Sequence, residues 1–131
     1  MKLLVADGRG DERCDGIDII DVGCAEGGRW ARMTTTCERV LKLALEQDAE
    51  VYHFHDPELI WIGIKTAITT NKKVIYDIHE NTVESIKQKK WLNIFSKRIS
   101  IVVYTVLQWI GTKVFSHFLL AENSYKSIIK N

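Results

Sequence analysis

Most of the marks that announce a function are missing from these 131 residues. There is no G-x-G-x-x-G and no G-x-x-x-x-G-K-[ST], so the loops that cradle dinucleotide and triphosphate groups are absent. No G-x-S-x-G and no Cys/His pairing argues for hydrolysis by a covalent route. The three cysteines, Cys14, Cys24 and Cys37, are odd in number and show no C-x-x-C spacing. That excludes a disulfide framework or a zinc ribbon and fits a reducing cytoplasm. The apolar opening, residues 1–6, stops at Asp7 and is too short for a signal peptide. The longest uncharged run, residues 99–112, falls short of the ~18 residues that span a bilayer, although such a run can lie on one. A net charge of +1 gives no global field toward nucleic acid.

What remains is ordinary globular composition, 46% hydrophobic and 27% charged, which predicts one domain over residues 1–131 with a real core. Neither repeats nor low-complexity linkers interrupt it. Short β-like runs fall at residues 2–6, 17–22, 51–54, 73–77 and 118–121. Residues 7–15 are polar and turn-rich, and Gly27-Gly28 reads as a loop. Helical spacing covers residues 30–47, with apolar Val40, Leu41, Ala44 and Leu45. Asp56-Pro57-Glu58 opens a second helix over residues 59–68, with Asp56 as the N-cap and Pro57 at the first helical position, and Asn71 ends it. Asn81 and Glu84 have capping-box spacing. A long apolar helix is predicted over residues 92–110, stopped at Gly111, and Asn123 caps a final one. From residue 51 the order is β-α-β-α-α-β-α, which predicts an α/β fold with parallel strands and right-handed crossovers.

Two polar clusters stand at the carboxyl ends of predicted strands, His53-Phe54-His55-Asp56-Pro57-Glu58 and Tyr76-Asp77-Ile78-His79-Glu80. In a parallel α/β sheet those ends share one edge, where ligands bind. His53 and His55 are two apart, so they share a strand face, with Tyr52 and Phe54 on the other. A histidine there can donate to a phosphate or hydroxyl oxygen, or serve as acid or base near neutral pH. It can also do no more than close backbone hydrogen bonds. His-x-His-Asp invites a metal reading as well, but zinc needs a third ligand from His79 or Glu80 and no further spacing supplies one. No metal is expected. Asp56 already has its capping task.

The second half has a basic and aromatic edge. Lys89, Lys90, Lys97 and Arg98 lie beside Trp91 and Phe95. This composition suits a helix lying at an anionic membrane or against a partner. The competing reading is a helix buried on the sheet, because residues 101–104 are apolar all round.

Residues 49–59, Ala-Glu-Val-Tyr-His-Phe-His-Asp-Pro-Glu-Leu, and 73–80, Lys-Val-Ile-Tyr-Asp-Ile-His-Glu, resemble the N-terminal, acceptor-side domain of GT-B fold glycosyltransferases of the family 4 type. Residues 5–12 and 15–17 are similar to the second strand and following turn of that domain. The resemblance implies a Rossmann-like parallel sheet flanked by helices. It also implies a transferase that moves a sugar, of hexosyltransferase type, from a nucleotide-sugar to a glycan or lipid-linked acceptor in surface polysaccharide biosynthesis. His79 matches the histidine that contacts the transferred sugar or donor phosphate, and His55, Glu80 and His53 would line the acceptor cleft. The nucleotide-sugar is a co-substrate, and no resident cofactor or metal is implied. Against the family pattern, the first β-α unit and the C-terminal donor-binding domain have no counterpart here. The expectation is therefore a partial enzyme that is inactive alone. The alternative is a non-catalytic remnant, or a subunit pairing with a separate donor-binding chain. Either would be cytoplasmic, with peripheral contact to the inner face of the plasma membrane allowed and nucleic acid not expected.

Overall fold

The computed structural model describes residues 1–24, 27–28 and 31–121. The chain forms two compact units, Met1–Ala49 and Glu50–Asn131, each with its own three-stranded sheet.

In the first unit β1 (Lys2–Val5) runs parallel to β3 (Ile17–Asp21), with Leu3 opposite Ile19. The short β2 (Glu12–Cys14) pairs antiparallel on the other side of β3. Cys14 faces Ile17, so Asp15-Gly16 is a two-residue hairpin loop, and both residues have positive φ, 49° and 80°. That is the backbone an Asp-Gly pair favours in a tight hairpin. The polar, turn-rich segment 7–15 hides this strand, because Glu12-Arg13-Cys14 is exposed throughout and has no apolar alternation.

Asp21 organises the loop after β1. Its carboxylate accepts from the backbone N–H groups of Gly8 at 3.1 Å, Gly10 at 2.8 Å and Gly23 at 2.7 Å. These donors, Gly10 foremost and then Gly23, hold its carboxyl below the ordinary value of 3.8. A lowered folded-state value stabilises the fold above the unfolded one, and that contribution disappears as the pH falls through the folded value. A one-turn π-helix, Arg32–Thr36, leads into α1 (Cys37–Glu46), which buries Cys37 and Leu41. The expected start of this helix at Trp30 lies outside the described residues.

In the second unit β4 (Val51–Phe54), β5 (Lys73–Ile78) and β6 (His117–Leu120) form a parallel sheet in that spatial order. Phe54 is level with Tyr76, and Tyr76 with Phe118. A short 3-10 turn, Pro57–Leu59, runs into α2 (Ile60–Thr70), which ends on Asn71 in the left-handed conformation. Asp56 occupies the N-cap position, but its side chain makes no capping bond. Its carbonyl instead accepts from Leu59 N at 2.9 Å, so the backbone turn starts this helix.

The two later helices do have side-chain caps. Asn81 accepts from Glu84 N at the start of α3 (Thr82–Gln88), and Asn93 accepts from Ser96 N at 2.7 Å at the start of α4 (Ile94–Val114). Asn93→Ala should lower stability by about 1 kcal/mol, measured by urea unfolding. A change below a few tenths would mean that water caps the helix equally well.

Strand alternation assigns the faces. Tyr52, Phe54, Val74, Tyr76, Ile78, Phe118 and Leu120 turn to one side and pack with Ile60 and Ile64 of α2, Tyr104 of α4, and Phe115. Gly111 does not stop α4, which continues three residues further to Val114. A β-carbon on Gly111 would lie 2.7 Å from the Phe115 ring, so the glycine makes room for that ring. The opposite face of the sheet carries His53, Ile75, Asp77, His117 and Leu119, none of them fully buried. The final helix expected at Asn123 lies outside the described residues. No described helix is long and apolar enough to cross a membrane.

Candidate functional site

Parallel register brings the two polar clusters together. With Phe54 level with Tyr76, the residues that follow each strand emerge side by side. The imidazoles of His55 and His79 meet edge to face, with ring centroids 5.7 Å apart. The expectation that these strand ends are neighbours is met.

Sequence reading missed the residue at the centre, Asp77. Its carboxylate lies 3.2 Å from His79 Nε2 and 3.4 Å from His53 Nε2, so one acid serves two histidines. The Asp77 side chain is only 16% exposed, while His53 and His79 are about half exposed at 49% and 55%. The acid is therefore sheltered and the bases are reachable. Alternation explains the geometry: Asp77 and His79 are two apart on one chain, and His53 sits beside Ile75 on the neighbouring strand, one step diagonally from Asp77. A charged residue inside the apolar run Val74–Ile78, in step with a terminal histidine, was the signal available in the sequence.

A proton on His79 Nε2 points at Asp77 and leaves Nδ1 as the lone-pair side. The arrangement is thus suited to hold a histidine in one orientation against a hydroxyl or phosphate oxygen.

Glu80 is also at this edge but turns toward the helix: its Oε2 accepts from Ser85 Oγ at 3.3 Å, in the first turns of α3. His53 lies one step back along β4, on the open face rather than at its tip. Among the described residues, no group of three or more His, Cys, Asp or Glu is arranged to hold a metal ion.

The basic and aromatic residues near α4 divide. Trp91 and Phe95 are exposed at 67% and 72%, Lys90 and Arg98 are exposed as well, and Lys89 is half-buried. Lys97 is half-buried, and its Nζ donates to the Lys87 carbonyl at 2.7 Å, so its charge is partly spent inside the fold.

The chain is thus an α/β protein whose second unit is a three-stranded parallel sheet with helices packed on it and a histidine-aspartate cluster at the carboxyl edge. No protein-family model, curated protein or solved structure matches it.

Proposed function

We propose that this chain is the acceptor-side half of a GT-B type glycosyltransferase, with a Rossmann-like sheet, and that the His55–His79–Asp77 cluster meets a phosphorylated sugar. The observation that carries the reading is the meeting of His55 and His79 at adjacent ends of parallel strands, in the two sequence strings that resemble this family. In this reading His79 meets a sugar hydroxyl or phosphate oxygen, with Asp77 fixing its orientation. His55 borders the same edge, and Glu80 fixes the start of α3 through Ser85. Stabilising a leaving diphosphate requires hydrogen-bond donors aimed at the developing charge. The reading assigns those to a donor-binding half outside these 131 residues. Purified alone, the chain is expected to transfer no sugar from any nucleotide-sugar.

Imidazole NMR tests the site itself. Titration with glucose 1-phosphate should move the His55 and His79 resonances well beyond that of His117, which is level with Ile75, four residues before His79. His79→Ala should weaken the His55 response at least tenfold. Equal movement of all four histidines, or no movement at His79, would refute the proposed site.

A further inference from the structure

The long helix α4 has two apolar faces, and among the described residues only one of them is covered. Tyr104, Gln108 and Gly111 are buried. About half a turn away around the helix stand Phe95, Ile99, Val102, Val106 and Trp109, spaced alternately four and three residues apart. They are exposed at 72%, 48%, 61%, 50% and 55%. Ile94 at 74%, Val103 at 49% and the preceding Trp91 at 67% widen the patch. The stripe runs for roughly 20–25 Å along the helix. Single exposed apolar residues need no explanation, but a contiguous patch of this size marks an interaction surface.

Its charge selects the occupant. Between Ser85 and Ala121 the chain has Lys87, Lys89, Lys90, Lys97, Arg98 and Lys113 and no Asp or Glu. Arg98 and Lys113 stand on the same helix face as the stripe, and Lys113 Nζ lies 5.9 Å from the Trp109 ring centre. A second copy of the chain would bring an equally basic face against this one, with no carboxylate to meet it. An anionic lipid surface complements it: the apolar side chains enter the acyl boundary, the lysines and arginine remain among the headgroups, and a tryptophan at each end sits at interfacial depth. The helix is not apolar enough to cross a bilayer, which leaves it lying on the surface.

We infer that the outer face of α4, from Trp91 to Lys113, docks on an anionic lipid membrane. This rests on the exposed face alone and is independent of the glycosyltransferase reading.

Vesicle co-sedimentation of the full chain tests it. Binding is expected to phosphatidylcholine vesicles containing phosphatidylglycerol, and to be more than tenfold weaker to phosphatidylcholine alone or in high salt. Each basic residue near an anionic surface contributes about a fivefold factor in partitioning. Replacing Lys89, Lys90, Arg98 and Lys113 together by Gln should therefore abolish detectable binding. Phe95→Ser with Val102→Ser should weaken it at least tenfold with an unchanged melting temperature, because both side chains are exposed. Three results would overturn the inference: no binding to anionic vesicles, binding indifferent to salt and to these changes, or a stable dimer by light scattering that Val102→Asp dissociates in a chain that ignores vesicles. The last would make a second copy the occupant.

Discussion

Tyr76→Ala will lower the unfolding free energy of the second unit by about 3–5 kcal/mol. Domains of this kind have roughly 5–15 kcal/mol in total, so much of the unit should be unfolded in mild urea. Tyr76 is 1% exposed and lies at the centre of an aromatic cluster. Phe54 stacks on it at 4.8 Å and 14°, and Phe115 and Phe118 meet it edge-on at 6.2 and 6.1 Å. Truncation removes the ring and leaves a cavity that three other rings would have to refill. Tyr76→Phe separates packing from polarity. It keeps the stack and removes only the hydroxyl contact to Tyr104 at 3.4 Å, for roughly 1–2 kcal/mol. A loss below 1 kcal/mol for the alanine variant would show that the cluster does not carry the core.

The same residue sets an alkaline limit. Burial, and then the neighbouring Tyr104, push the Tyr76 hydroxyl far above its ordinary value of 10.0. The unfolded chain can ionise there and the folded one does not. The associated stability is full below pH 10.0 and is lost as the pH climbs from there toward the folded-state value. Tyr76→Phe should remove this part of the alkaline transition.

Gly63→Val is the second large loss, about 3 kcal/mol. Gly63 lies in the middle of α2, where helix propensity alone favours replacement by alanine by nearly 1 kcal/mol. Packing reverses that sign. A β-carbon at Gly63 would lie 2.4 and 2.6 Å from the Phe54 ring and 3.3 Å from Phe115. Phe54 has no room to withdraw, being stacked on Tyr76 and held edge-on by Phe115 at 5.5 Å. Gly63→Ala should therefore already be destabilising, by about 1–2 kcal/mol net of propensity, and Gly63→Val more severely so. Phe54→Leu should recover part of the loss in a double-mutant cycle. A valine variant as stable as the parent would show that the helix slides freely on the sheet.

Local chemistry made much of the fold legible in the sequence. Val51–Phe54 is a strand with the bounds its β-rich run implies, and Asn71 ends α2 in a left-handed conformation as its short polar side chain permits. The capping of α3 by Asn81 also follows from spacing alone, since donor and acceptor are three residues apart. Alternation put His53 and Tyr52 on opposite faces, because a strand's period of two is a property of its backbone.

Elsewhere the deciding groups are distant in sequence. Gly111 looks like a helix stop, yet the Phe115 ring is what requires it, and α4 continues past it. Asp77 gains its place in the site from His53, twenty-odd residues earlier and on another strand, a relation that only the parallel register creates. The even distribution of apolar residues along α4 fits a helix buried on all sides as well as one with two apolar faces. Packing of Tyr104 and Gln108 inward left Val102, Val106 and Trp109 outside. Sequence by itself determined the described strands other than β2, several helix ends and the polar strand tips, since each depends on backbone preferences within a few residues. Tertiary structure alone decided which glycines make room for rings, which acid joins which histidines, and which apolar face remains uncovered, since each depends on atoms brought together from separate elements.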